Sequence, residues 1–227
     1  LSYIFYLVRH KLKLRRRRIS HIAKKRASIR IKAWRNAFAD YAKDLDPFSI
    51  VFFDESYFTF HDAVPKYAYV QKTNAIELPI QKVSRKRFSL LAAMTATNIM
   101  HWQIVDATNG GTVNDNTVAT FLRHLLTLLP DESVILMDNA SIHHSPEVKL
   151  LTEANSSKFL FTSAYSPDFN AIELLFGRTK MLLKNHYCSS NSLVHLVGRI
   201  LKETPSSVLA SFVSHTFHNY QNCNEHI

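Results

Sequence analysis

The sequence contains few of the residues that define small secreted or fibrous proteins. Of its 227 residues, only 2 are cysteine and only 4 are glycine. Two cysteines cannot build a disulfide framework, and no stretch resembles a secretory signal. The apolar or small residues 2–8 are far too few to span a bilayer. We therefore expect an intracellular protein, located in the nucleus if eukaryotic and in the cytoplasm or nucleoid if bacterial.

Acidic residues are absent from the first part of the chain. Residues 1–39 contain 13 Lys or Arg and no Asp or Glu, whereas residues 40–227 contain 15 Lys or Arg and 18 acids. The net charge of +10 therefore belongs to the N-terminal segment. Such a block of charge favours a polyanionic partner, because neutralised phosphates release counterions. The pattern predicts a basic helical arm or linker over residues 1–46; a solvated charged helix without a partner is the alternative.

Residues 47–227 have the pattern of one folded domain. The hydrophobic fraction of 46% over the whole chain is sufficient for a substantial core. Short apolar, β-rich runs predict strands within the ranges 48–53, 67–70, 87–106, 133–138 and 158–166. Helical spacing of apolar residues predicts helices that begin near Asn114 or Asp115, Ser145 and Asn170, and two more over 192–204 and 205–221. This order of elements predicts an α/β fold with a mixed sheet flanked by helices.

Carboxylates follow two of the predicted strands and open one of the predicted helices. Asp54 follows FSIVFF, Asp138 follows VILM, and Glu173 lies near the start of a helix. Functional groups collect at strand ends in open α/β sheets, and carboxylate oxygens suit Mg²⁺ or Mn²⁺. Two such ions can activate an attacking oxygen and stabilise the leaving oxygen of a phosphodiester. The three acids therefore form a candidate two-metal site.

Each acid also has a simpler interpretation when it is taken alone. Asp138 could form a turn with Asn139, Asp54 could lie at a solvated strand end, and Glu173 could complete a capping box three residues after Asn170. A zinc site at His143 and His144 is disfavoured, because no cysteine lies near the two histidines. The joint pattern of the three acids decides between these interpretations.

FFDES, MDNASIHHS and YSPDFNAIELLFGRTK occur in this order and together resemble the catalytic domain of the DDE superfamily, in particular mariner-like transposases and their bacterial insertion-sequence relatives. The resemblance extends from about Arg26 to the C-terminus. It implies that Asp54, Asp138 and Glu173 are the catalytic, metal-binding acids. It also implies an RNase H-like fold over residues 47–227 and two Mg²⁺ or Mn²⁺ ions. The implied reaction cuts DNA and joins the freed 3′-OH to a target.

The same resemblance implies further roles and partners. Residues expected to support the acids or to contact DNA are Asn139, His143, Asn170, Arg178 and Lys180. The expected partners are double-stranded DNA, as element ends and target, and further copies of the chain in a homodimer or larger synaptic assembly; no membrane is involved. The helix-turn-helix modules of the family are not visible. Because the chain begins with Leu1 rather than Met, they are expected upstream.

Three features depart from the family pattern: Ala171 replaces a usual proline, Phe176 replaces a usual tryptophan, and VPKYAYVQK stands where a Trp-Gly segment is usual. They favour a divergent copy. An inactive or domesticated transposase-derived DNA-binding protein is therefore the alternative function, and a nuclease acting on RNA–DNA hybrids is a weaker third. No Ser or Tyr nucleophile constellation is evident, as expected for chemistry without a covalent protein–DNA intermediate.

Overall fold

The computed structural model describes residues 2–13, 26, 28–59, 62, 87–106, 113–154, 157–184 and 190–223. Its five strands are β1 (Ile50–Thr59), β2 (Arg87–Met94), β3 (Ile99–Asp106), β4 (Val134–Met137) and β5 (Lys158–Phe161). They form one sheet in the order β3-β2-β1-β4-β5. The pairs β1–β2 and β2–β3 are antiparallel, whereas β1–β4 and β4–β5 are parallel. The predicted mixed sheet is confirmed.

Helices cover both faces of this sheet. They are α1 (Ser2–Tyr6), which continues into a π-helical turn (Leu7–Lys11), α2 (Ile29–Ala42), α3 (Asp115–Leu126), α4 (Pro146–Ala154), α5 (Ile172–Leu183), α6 (Ser190–Lys202) and α7 (Ser206–Gln221). Two 3₁₀ turns, Ser141–His144 and Pro167–Phe169, precede α4 and α5. One hydrophobic core holds side chains of α2, α5, α6 and α7, and the other holds side chains of α3 and α4.

β1 lies at the centre of the sheet and supplies both cores. Ile50 and Phe52 belong to the core beneath α5 to α7, whereas Val51 and Phe53 belong to the core beneath α3 and α4. Successive side chains of a strand point to opposite faces, so a strand buried on both faces is apolar at every position. This requirement explains why FSIVFF has no polar alternation.

β1 continues past the apolar run 48–53. The sequence left open whether residues 56–60 continue this strand or begin the next, and the strand runs to Thr59 because antiparallel pairing with β2 continues to its last residue. Pairing with β4 covers only Ile50 to Phe52. Asp54 therefore lies just past the paired part of β4, where none of the described strands pairs with that side of β1.

The local signals for two helix starts are confirmed. Asn114 Oδ1 accepts a hydrogen bond of 2.9 Å from the backbone N–H of Thr117 and caps α3. Ser145 Oγ accepts one of 3.3 Å from the N–H of Val148, and Pro146 is the first residue of α4. The predicted strand range 87–106 forms two strands, β2 and β3, with a turn at residues 95–98 between them.

α2, which lies within the predicted arm, packs into the core. Phe38, Ala39 and Ala42 are buried there, and α2 contacts α7. The predicted strand at 67–70 and residues 14–25 of the predicted arm lie outside the described residues. The domain boundary after residue 46 stays a prediction. In the part of the chain that the structure describes, no helix is long and apolar enough to cross a bilayer.

Gly177 and Gly198 lie in helices but differ in their surroundings. A Cβ at Gly177 of α5 would meet no atom within 4 Å, whereas one at Gly198 of α6 would lie 3.0 Å from the Trp102 ring. Alanine is favoured over glycine inside a helix by about 0.5–1 kcal/mol. We therefore expect Gly177→Ala to raise Tm by about 1–4 °C in thermal denaturation. Gly198→Ala is the matched control and should give no gain; an unchanged or lower Tm for Gly177→Ala would contradict the prediction.

Candidate active site

The three acids line one open cleft of about 390 Å³. The cleft lies past the carboxyl ends of the parallel strands β4 and β5, and residues 162–167 form one of its walls. Asp54 and Asp138 meet there because β1 and β4 are adjacent and parallel. Glu173 joins them because α5 packs against β1. The structure thus brings together the three acids that the sequence singled out.

Asp54 is a buried carboxylate among other negative charges. Its Oδ1 accepts a hydrogen bond of 2.8 Å from the backbone N–H of Glu55, and its Oδ2 accepts one of 3.2 Å from Asn170 Nδ2. Burial raises the pKa of Asp54 well above its usual value, and the charges of Asp138 and Glu173 raise it further. A buried charge in this setting is costly unless a cation offsets it.

Asp138 follows β4 directly and is partly exposed. Its Oδ1 accepts hydrogen bonds from His143 Nδ1 at 2.8 Å and from the backbone N–H of Ala140 at 3.0 Å. Burial raises the pKa of Asp138, but the hydrogen bond and the charge of His143 outweigh burial and lower it below the usual value. The turn interpretation of Asp138 is therefore also correct, and this turn holds an ionised carboxylate at the cleft.

The side chain of His143 contacts one acid from each of two motifs, Asp138 and Glu55. Its ring is 1% exposed, with Nδ1 bound to Asp138 and Nε2 lying 3.3 Å from Glu55 Oε2. Burial lowers the pKa of His143, but its hydrogen bonds to Asp138 and Glu55 outweigh burial and raise it to about 10. Each ring nitrogen of His143 therefore faces a carboxylate oxygen.

The neighbouring His144 has a separate contact. Its Nε2 bonds Asn139 Oδ1, and its ring packs 4.3 Å from that of Phe161. Asn139 itself lines the cleft beside Asp138. His144 therefore orients Asn139, while His143 orients Asp138.

Asn170 connects the third motif to the first. Its Nδ2 donates hydrogen bonds of 3.2 Å to the Phe53 carbonyl and to Asp54 Oδ2. The sequence predicted Asn170 as the N-cap of α5, but this helix begins at Ile172, after Ala171. Its Oδ1 still accepts a 3.4 Å hydrogen bond from the N–H of Ile172, while its buried Nδ2 group needs acceptors and β1 supplies both. Asn170 thus positions Asp54.

Glu173 is exposed and lies in the first turn of α5. Partial burial raises the pKa of Glu173. The charge of Lys180 lowers this pKa and the charge of Asp138 raises it, so that it lies above its usual value. Lys180 Nζ donates a hydrogen bond of 2.9 Å to Ser56 Oγ and lies 5.1 Å from the centre of the Phe58 ring. Arg178 Nε is buried and has no hydrogen-bond partner among the described residues. Contact of either cation with DNA stays a prediction.

Sequence reasoning missed an ion-pair network beneath the third motif. Asp168 accepts hydrogen bonds of 3.1 and 2.8 Å from Arg35 of α2, and one of 2.8 Å from Arg26. The Arg35 guanidinium also lies 4.1 Å from the centre of the Phe169 ring, and Tyr220 of α7 donates a 2.7 Å hydrogen bond to the Phe169 carbonyl. The turn that precedes Asn170 is therefore fixed by contacts with Arg26 and α2 on one side and with α7 on the other.

This network also affects the charge of Asp168. Burial raises the pKa of Asp168, but the hydrogen bonds and charges of Arg35 and Arg26 outweigh burial and lower it. The only signal in the sequence was an acid within a motif and many uncompensated cations in residues 1–39. Which of these cations pairs with Asp168 depends on the packing of α2 against α7.

The donor set of the cleft fits a hard divalent cation. The groups that face the cleft at its acidic end are carboxylate oxygens and an Asn139 amide, the ligand types that Mg²⁺ and Mn²⁺ prefer. Among the described residues, no three His, Cys, Asp or Glu side chains are grouped closely enough to surround one ion. Mg²⁺ is commonly held by one or two carboxylates together with water and substrate phosphate.

Comparisons with known proteins agree with this geometry. Residues 49–204 match the family model described as DDE superfamily endonuclease. A pre-cleavage Mos1 transpososome is similar in structure, with 19% identity, a TM-score of 0.76, and coverage of 98% of this chain and 69% of that chain. The catalytic domain of Mos1 mariner transposase is similar with 18% identity, a TM-score of 0.69, and coverage of 91% and 96%. No curated protein is significantly similar in sequence.

The family and the fold follow from these matches. The structural similarity shows that the mixed sheet and its helices have the RNase H-like fold of the Mos1 catalytic domain, as predicted. The family match covers more than half of the chain and contains all three motifs from which the resemblance was read. The chain therefore belongs to the DDE superfamily endonucleases.

Proposed function

We propose that this chain is the catalytic domain of a mariner-like transposase, which hydrolyses a DNA phosphodiester and joins the freed 3′-OH to target DNA. The convergence of Asp54, Asp138 and Glu173 in one open cleft carries this proposal. Similar Mos1 structures include a paired-end complex with the left transposon end and a strand transfer complex. They support duplex DNA as the substrate and a homodimer or larger synaptic assembly as the working form.

Asp54, Asp138 and Glu173 would hold two Mg²⁺ or Mn²⁺ ions. Similar Mos1 paired-end complexes contain Mn or Mg, which supports this choice. Bound ions of this kind activate an attacking oxygen and stabilise the leaving oxygen of a phosphodiester. The chain itself supplies orientation. His143 holds Asp138 ionised, and Asn170 holds Asp54 by a donated hydrogen bond.

The distribution of cations supports a DNA backbone as the ligand. Arg178 has a buried donor without a partner among the described residues, two turns of α5 at most from Glu173. The first 39 residues carry 13 cations, which suits a linker that follows DNA. We accordingly assign residues 1–46 as a basic linker, whose α2 docks onto the catalytic domain 47–227. The location is the nucleus if the host is eukaryotic.

Metal removal tests the proposal directly. We expect the full chain to nick supercoiled plasmid DNA in Mg²⁺ or Mn²⁺, and to lose this activity completely in EDTA, because three carboxylates alone repel a phosphodiester. The measurement is conversion of supercoiled plasmid to open circle on a gel. Restoration of nicking by excess Mg²⁺ is the control for irreversible loss. Nicking that persists in EDTA would contradict a metal-dependent site.

Two other functions predict different results in related assays. An inactive or domesticated DNA-binding protein would bind plasmid through its cations yet show no Mn²⁺ binding in calorimetry and no nicking. The departures from the family pattern at Ala171 and Phe176 are the reason for testing the inactive or domesticated protein as an alternative. A nuclease for RNA–DNA hybrids would cleave a hybrid faster than the corresponding DNA duplex.

A further inference from the structure

Tyr165 has a backbone conformation that bulky residues rarely adopt. Its φ is 58°, in the left-handed region where a Cβ crowds the backbone. Lys13 and Glu132 also have positive φ, but Tyr165 alone of the three lines the cleft with the acids. Strained conformations of this kind persist where surrounding contacts impose them, and they cluster at ligand sites.

The contacts that impose this conformation belong to the neighbours of Tyr165. The N–H of Thr162 donates a 2.9 Å hydrogen bond to the Met137 carbonyl at the end of β4. The buried hydroxyls of Ser163 and Ser166 lie 2.7 Å apart, and Ser166 Oγ also donates to the Ala164 carbonyl at 3.2 Å. The loop is thus fixed on both sides of Tyr165.

Tyr165 itself does not contribute to the core. It is 45% exposed, and no residue that the structure describes forms a hydrogen bond or ring contact with its side chain. Folding therefore gains little from this ring, although the backbone beneath it is strained. An aromatic ring held this way at the wall of a cleft is available to a ligand.

We infer that Tyr165 is a stacking platform for one nucleobase next to the phosphodiester that is cut. The inference rests on the proposed function, since it takes DNA as the ligand. Aromatic side chains bind unpaired bases by stacking, without sequence preference, because every base has a π face. A phosphate at the acids of the cleft would bring a neighbouring base to its wall. Tyr165 then sets the position of the strand rather than its sequence.

The inference predicts opposite effects on stability and on DNA binding. Asparagine tolerates the left-handed conformation far better than tyrosine. Tyr165→Asn should therefore raise Tm by about 2–4 °C, as expected for relief of backbone strain, while it weakens binding of an unpaired base. Tyr165→Phe keeps the ring and should leave both quantities unchanged.

A fluorescein-labelled DNA duplex with a 3′ single-stranded thymidine extension is a suitable probe. Its affinity for the full chain is measured by anisotropy in Ca²⁺, with an intact probe verified on a gel afterwards. Abasic residues then replace the thymidines one at a time. We expect one position at which the abasic residue weakens binding of the wild type and of Tyr165→Phe by about tenfold.

Tyr165→Asn should lose this dependence on the base. Tyr57→Asn, which changes another tyrosine, 50% exposed and outside the cleft lining, should retain it. The inference is overturned if the wild type does not bind the probe, if no position is sensitive to an abasic residue, or if Tyr165→Asn keeps that sensitivity. Plasmid nicking by the wild type separates this inference from the proposed function. If the wild type nicks plasmid but its binding does not depend on any base, only the stacking role of Tyr165 is refuted. If its binding depends on a base but it does not nick plasmid, only the proposed nuclease activity is refuted.

Discussion

Asp54→Asn is expected to abolish DNA cleavage and at the same time to raise the Tm of the metal-free protein. Its carboxylate is buried, and Asp138 and Glu173 repel its charge, as the raised pKa shows. The neutral amide removes this repulsion and retains one of the two hydrogen bonds that Asp54 accepts. A gain of about 1 kcal/mol corresponds to about 2–4 °C. Loss of metal-ion catalysis costs several kcal/mol, or about 10³-fold in rate.

Asp138, the second acid of the cleft, supplies the matched comparison. Asp138→Asn should lose cleavage to a similar extent, but its Tm should fall, because Asp138 is stabilised by His143 and its pKa is lowered. Glu153→Gln changes an exposed acid of α4 and should alter neither quantity.

Tm is measured in EDTA and again with Mn²⁺, which should stabilise the wild type more than either variant. Cleavage by Asp138→Asn at the wild-type rate would show that the site is wrongly assigned. A fall in the Tm of Asp54→Asn would show that the charge of Asp54 does not destabilise the metal-free protein.

Asp168→Asn is expected to lower Tm by about 4–8 °C, which corresponds to about 2 kcal/mol. The variant removes the charge that offsets Arg35, whose side chain is only 10% exposed. Breaking one partner of a buried pair costs more than the pair contributes, because a buried charge stays behind. Arg35→Met is the matched variant and should cost less, because Asp168 keeps Arg26 as a partner.

The effect of Asp168→Asn should depend on pH in a defined direction. The folded-state pKa of Asp168 lies below its ordinary value of about 3.9. Its stabilisation is therefore fully present above that value and is lost as pH falls through the folded pKa. The Tm difference between wild type and variant should stay constant from about pH 7 to pH 5 and shrink below about pH 4. A difference that grows on acidification would contradict this ion pair.

Asp168→Asn should also affect the active site through Asn170. The turn that holds Asp168 leads directly to the amide that positions Asp54. We expect a lower affinity for Mn²⁺ in calorimetry at a temperature where the variant is fully folded. Unchanged Mn²⁺ affinity would mean that the network stabilises the fold without positioning Asp54.

The sequence alone was sufficient for the parts of the molecule that depend on local patterns. Continuous apolar runs identified β1 and β4 because a strand buried on both faces must be apolar throughout. Caps at Asn114 and Ser145 were predictable because each is satisfied by a backbone N–H three residues along the chain. The three acids were identified because they recur in motifs of fixed order, and their assignment as catalytic residues stays a prediction.

Tertiary packing decided the features that join distant residues. Parallel pairing of β1 and β4 places Asp54 beyond the end of its neighbour, and burial of Asn170 directs its amide nitrogen to β1 while its oxygen bonds the N–H of Ile172. The salt bridge between Arg35 and Asp168 spans 133 positions. Nothing local selects such a pair, since any of 13 N-terminal cations could neutralise the acid. The sequence determined which side chains the cleft contains. Only the packed fold determined which of them are ionised, which are held by hydrogen bonds and which lie on a strained backbone.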